Sequence, residues 1–291
     1  MMEETPLPAN YRRRQLVNKA MTVLIYAAVV IAIAPLLFIL AEVAYRGAPV
    51  LNIAFFTHLP TPVGVPGGGI APAIVGSFIM VALASAIAIP IGIGAGIYFS
   101  EWPEARLSTV SSFTNDVLAE FPSIVVGIFV YVVVVLATGT FSALAGGIAL
   151  AIIMIPIVAR TTEESLKLVP KSLREASMAL GVSRWKTIIR IVITTGRAGL
   201  FTGILLSIAR AAGETAPLLF TALGNTYYSK GLLQPMAALP LLIYQYGVSP
   251  FADWQAKAWG AALLLVLTML ALNLAVKLTV GRRFSHIRPE N

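Results

Sequence analysis

Arg210 and Glu214 stand one helical turn apart inside an apolar run, about Ala198–Ala222, where a charge has no obvious partner. At 1.5 Å per residue Arg210 lies roughly 18 Å along that run, near the middle of a bilayer. A charge at that depth costs about 2.5–3.5 kcal/mol on insertion scales. Turning 100° per residue places Gly203, Ser207, Arg210, Glu214, Pro217 and Thr221 in one narrow sector. Lipid is no neighbour for such a stripe, so it faces other helices or a water-filled path. Two readings stay open. In one, Arg210 and Glu214 pair and lock helices together. In the other, Arg210 meets a translocated anion and Glu214 holds or releases it, with Ser207 and Thr221 along the same path. A guanidinium fork donates two parallel hydrogen bonds and suits a tetrahedral oxyanion. The carboxylate one turn away keeps the empty site near neutral.

A second polar stripe, Glu120, Ser123, Gly127 and Tyr131, falls on another apolar run, about Val117–Ala137. Pro122 fits a first helical turn, so the amides near Ser123 are a candidate anion contact. The alternative is a kinked, capped helix start near the membrane surface. Glu120 would repel an anion and suits snorkelling to the interface; Glu42 reads as interfacial too. Other chemistries find no residues. There is no cysteine for a disulfide, cluster or thiolate site, and the two histidines, His58 and His286, are far apart. No nucleophile–base pair stands out. No G-x-x-x-x-G-K-[ST] segment occurs, so any ATP and its magnesium must be bound by another chain. No cofactor is expected here.

The elements that must position these groups follow from composition. The chain is 58% hydrophobic and 12% charged, against about 25% charged in soluble domains. It reads as an all-α integral membrane protein of about six transmembrane helices, surrounded by membrane lipid. The expected spans are about Met21–Tyr45, Ala71–Phe99, Val117–Ala137, Phe141–Val158 with polar turns to Leu168, Ala198–Ala222 and Ala258–Val280. The first is too long for a signal-peptide core, so it is read as uncleaved. Residues 46–70, 100–115 and 223–256 read as connections. Residues 1–20 form an N-terminal segment, 21–280 the transmembrane domain, and 281–291 a tail. The glycines Gly92, Gly94, Gly96, Gly146 and Gly147 suit close helix packing. Trp254 and Trp259 sit where an aromatic belt belongs. Of the 21 lysines and arginines, 17 fall on one side of this arrangement; only Arg46, Lys230 and Lys257 fall on the other, and Arg210 lies within a span. The positive-inside rule then puts both termini in the cytoplasm. The net charge of +8 is accounted for by this rule, and no nucleic-acid partner is inferred.

Between the fourth and fifth spans lies a basic amphipathic stretch, Ser172–Arg190. Ser172 with Glu175 reads as a capping box. Leu173, Ala176, Ser177 and Leu180 recur at helical spacing, Gly181 is a stop, and Ser183 can cap a second helix with Trp185, Ile188, Ile189 and Val192 on its apolar face. The expectation is two short helices folded about one glycine, outside the bilayer, each needing a partner.

This stretch resembles the EAA loop of ABC importer permeases on Glu175-Ala176-Ser177 and Gly181. Serine stands for the third residue of the usual triplet, and Thr194-Thr195 for the usual Leu-Pro. The run Ala209–Ala222 resembles PstA-type permeases of phosphate-specific ABC transporters, as do Gly67–Ile70, Pro122–Gly127, Arg160–Glu163 and Ser249–Trp254. The resemblance implies a coupling loop at about 163–197 in which Glu175, Ala176, Gly181, Arg174 and Trp185 serve ATPase coupling. It implies a non-catalytic subunit with four kinds of partner: a second, PstC-type permease, a PstB-type ATPase dimer, an extracytoplasmic PstS-type phosphate-binding protein, and lipid. It names phosphate as the solute. Sulfate or molybdate, or a channel working without an ATPase, are the competing expectations.

Overall fold

The computed structural model describes residues 10–65 and 67–284, with side chains through Leu274. Among these residues there is no β-strand, only an isolated bridge between Leu223 and Met236. The helices are α1 (Tyr11–Gly47), α2 (Ile53–Thr57), α3 (Ala71–Glu101), α4 (Arg106–Glu120), α5 (Ser123–Val130), α6 (Leu136–Thr138), α7 (Ala143–Lys167), α8 (Lys171–Ala179), α9 (Arg184–Thr187), α10 (Ile193–Ala212), α11 (Ala216–Thr221), α12 (Leu239–Gly247) and α13 (Ala252–Phe284). Single π-helical turns, Tyr131–Val135 and Ile188–Val192, join α5 to α6 and α9 to α10. Among the described residues five helices are long and apolar enough to cross a membrane; a bent pair, α4 with α5–α6, makes a sixth crossing if counted as one.

The centre of the bundle is the pair α3 and α7. Met80, Ala84, Ala88, Gly92 and Gly96 recur every four residues on the buried face of α3. A Cβ added at Gly96 would come within 2.5 Å of the Ala159 carbonyl oxygen, and one at Gly92 within 2.7 Å of the Val158 side chain. Gly146 and Gly147 are as closely met by Met80 and Leu83, whereas Gly94 faces open space. Small residues thus bring two backbones together, as the interior of a membrane bundle favours. α11 and α10 pack on α7, α12 and α13 pack on each other, and α1 lies outermost, its Gly47 pressed on the Trp259 carbonyl.

The structure corrects several expectations from the sequence. The third span is not one helix over Val117–Ala137. Residues 106–120 form α4, and the chain then turns by 103° before α5. The break is at Phe121 and Pro122, both extended. Proline forces its predecessor out of helical geometry and starts the next helix readily. Glu120 therefore does not share a face with Ser123. The fifth span ends at Ala212, not Ala222. Pro217 has no amide to continue the helix and its ring would strike the carbonyl four residues back, so Gly213–Thr215 unwind and α11 begins afresh. The first helix starts at Tyr11, inside the expected N-terminal segment, and α13 runs to Phe284, inside the expected tail; residues 285–291, with His286, lie outside the described residues. The 223–256 connection contains α12, whose Leu239, Leu241, Leu242 and Tyr246 are buried. Trp254 is turned inward and stacks on Tyr246 at 4.5 Å instead of joining a belt, while Trp259 lies under Arg46.

Candidate functional site

The buried face of α10 is Gly196, Leu200, Gly203, Ser207 and Ala211. It is set by α7: a Cβ at Gly203 would fall 2.0 Å from the Thr161 hydroxyl, and one at Gly199 2.1 Å from that of Ser165. Ser207 is fully buried here and donates to the Ile204 carbonyl at 2.7 Å. Arg210 lies at the edge of this face, and its side chain is 52% exposed. It pairs with Glu214 at 3.6 Å between Nε and Oε1, beyond hydrogen-bond reach, and Glu214 is 18% exposed in the unwound segment. The guanidinium occupies the last turn of its helix, where the macrodipole favours a cation. The expected stripe is therefore divided. Arg210 and Glu214 border open space, whereas Thr221 is fully buried and donates to the Pro217 carbonyl at 2.8 Å. The Ser207 and Thr221 hydroxyls each bond back to a carbonyl of their own helix, and both side chains are fully buried.

Ser123 reaches the neighbourhood through a helix crossing. A Cβ at Gly127 would meet the Pro217 Cα at 2.6 Å, so α5 lies directly on the start of α11. Both helices lead to the same end of the bundle, where the Ser142 amide donates to the Thr221 carbonyl at 2.9 Å. Ser123 and Glu214 each precede the crossing, and so lie on the same side of it. Ser123 is half-buried at the first position of α5, with no side chain capping the amides there.

At the opposite, basic end, α8 and α9 fold about Gly181, whose φ of +78° is a left-handed conformation that glycine adopts without strain. The capping box does not form: α8 begins at Lys171 behind Pro170, and Ser172 is its second residue. Ser183 holds the N-cap position of α9 without a side-chain bond. Nor is the second helix separate, because Arg184–Ala212 runs on through the π turn into the membrane span. Glu175 and Ala176 are exposed, with Leu180 and Trp185 at 83% and 62%. Arg174 is not: its side chain is 17% exposed and turned toward the bundle, onto Glu101. A second charged group, Arg160 with Asp116, Glu163 and Glu164, links α7 to α4. Sequence reasoning missed Glu101; its only signal was a carboxylate closing an apolar run beside Trp102.

Comparison with known proteins places this arrangement. Residues 88–283 match the family model of the binding-protein-dependent transport system inner membrane component. The phosphate transport system permease protein PstA of Yersinia pestis is 44% identical over 284 residues, covering 97% of this chain and 96% of that protein. The chain belongs to the PstA permease family. The PstA protein of Haemophilus influenzae is 45% identical, with 90% of this chain and 93% of that protein covered. A probable PstA from Methanocaldococcus jannaschii is 38% identical, with coverages of 91% and 94%. Among solved structures, an inward-facing MetNI methionine ABC transporter matches with a TM-score of 0.60 at 19% identity, over 72% of this chain and 95% of that one, and shares the fold.

Proposed function

We infer that this chain is the transmembrane permease subunit of an ATP-driven ABC importer that moves inorganic phosphate into the cytoplasm. The observation that carries the reading is near full-length identity of 44% to a phosphate transport system permease. The geometry supports it from within. Arg210 presents a half-exposed guanidinium, loosely paired, at the end of a broken helix, and discontinuous helices are how many transporters build a solute site. A phosphate oxyanion would take the fork of Arg210 while Glu214 yields it, with the free amides at Ser123 as a further contact. The open side of Arg210 calls for a second, related permease to complete the path. The chain has no nucleotide-binding loop of its own, so a pair of ATPase subunits would bind ATP and magnesium and push on the exposed face of Glu175, Ala176, Gly181 and Trp185. An extracytoplasmic phosphate-binding protein would deliver the solute. The lopsided distribution of lysine and arginine supports a cytoplasmic position for both termini and for α8. The assembled complex in proteoliposomes, offered labelled phosphate, sulfate and molybdate with ATP, should accumulate phosphate alone. Equal uptake of sulfate, or uptake without ATP, would refute the reading.

A further inference from the structure

Helix α8 has nine residues and buries only one of them, Ser177. A helix so short is not stable on its own, so what fixes it must be tertiary contact. The side-chain hydrogen bonds among those contacts come from two residues of α8, Ser177 and Arg174. Ser177 and Thr187 share a hydrogen bond of 2.9 Å between α8 and α9. Arg174 makes the remainder. Its Nε donates to Glu101 Oε1 at 3.1 Å, its Nη1 to the Val169 carbonyl at 2.6 Å, and its Nη2 to the Leu166 carbonyl at 2.9 Å. Leu166 is in the last turn of α7, Val169 follows two residues after its end, and Glu101 is the last residue of α3. Glu101 is 6% exposed, and a carboxylate at a helix C-terminus is unfavourable without a cation beside it. Arg184, at the start of α9, donates to the Glu101 carbonyl and lies 4.5 Å over the Trp102 ring, which itself stacks on Tyr98. Two arginines of the coupling loop thus close the C-terminal ends of the two central helices.

From this geometry we propose that the Glu101–Arg174 pair is the mechanical joint through which movement of α8 reaches α3 and α7. Arg174 is a positioning residue that acts through Glu101 and does not touch the ATPase. The inference rests on reading α8 as the ATPase contact. Because α3 and α7 are backbone to backbone at Gly92 and Gly96, a displacement delivered at their shared end moves them as one body. With the joint broken, the ATPase still docks on Glu175 and Trp185 and still hydrolyses ATP, but the stroke is lost in α8.

The test uses the full complex in proteoliposomes, with phosphate uptake and ATP hydrolysis measured together. Arg174→Gln and Glu101→Gln should retain the ATPase and its hydrolysis while phosphate moved per ATP falls at least about tenfold, equivalent to about 1.4 kcal/mol of lost coupling. Arg174→Lys, which keeps the charge without the fork, should fall between. The chain has no cysteine, so the double variant Glu101→Cys with Arg174→Cys can be joined by a short bis-maleimide. Uptake per ATP should be low before joining and recover after it, with ATPase yield and hydrolysis unchanged throughout; a purely structural role would instead lower both before joining. An unchanged ratio in the single variants, or no recovery on cross-linking, would overturn the joint. Loss of the ATPase from Arg174→Gln would also overturn it and assign Arg174 to the docking face. Trp185→Glu tests the underlying reading separately: if the ATPase stays bound to it, α8 and α9 are not the docking site, whatever the joint does.

Discussion

Arg210 is held by an ion pair at 3.6 Å, beyond hydrogen-bond reach, with half of its side chain open. So weak a tie suits a cation that must exchange its carboxylate for a passing anion. Arg210→Gln is expected to abolish phosphate uptake in a complex that still assembles, and Arg210→Lys to keep little activity because an ammonium lacks the planar fork. The double change Arg210→Gln with Glu214→Gln should assemble and stay inactive; substantial labelled-phosphate uptake by it would leave only a structural salt bridge. These two residues were legible in the sequence because a charge in an apolar run announces itself without any knowledge of packing. Thr221 was placed on the path by a helical wheel that assumed one continuous helix, and the break at Gly213–Thr215 invalidates that assumption; Ser207 precedes the break and is simply on the buried face of α10, which the wheel could not tell from a path-lining one. Arg174 could be assigned to the coupling loop but not oriented within it, since its partner Glu101 is 73 residues away in the chain.

Helices carried by apolar runs were readable nearly to their ends, and those carried by mixed sequence were not. α7 matches its expected span with its polar extension, whereas α4 was taken for a link, although Leu107, Val110, Phe113 and Val117 recur along it at helical spacing. Those side chains are exposed, so no burial enforces the pattern. Gly181 is the best example of an element feature fixed by residue type, because its φ of +78° is a conformation a β-branched residue adopts only at a cost of about 1–3 kcal/mol. Gly181→Val should therefore change the angle between α8 and α9, lowering both phosphate uptake and the yield of co-purified ATPase, with the membrane helices still inserted. Normal uptake together with normal co-purification would count against a coupling role for this turn.

For the molecule as a whole the charge distribution makes the firmest claim. Ser172→Cys and Lys230→Cys, each introduced alone into a chain without other cysteines, can be probed with an impermeant thiol reagent in intact cells. Both positions are exposed, and only the one at 230 should react. Reaction at 172 but not at 230 would invert the topology. One feature of the outermost helix bears on how the chain is made. None of the most apolar stretch of α1 is buried, and the helix rests chiefly against α13. The ribosome finishes α1 roughly 200 residues before it reaches α13, a delay on the order of 10–40 s at ordinary translation speed. Helix α1 thus waits that long for its neighbour, and its long apolar middle stretch lets lipid be its companion in the meantime.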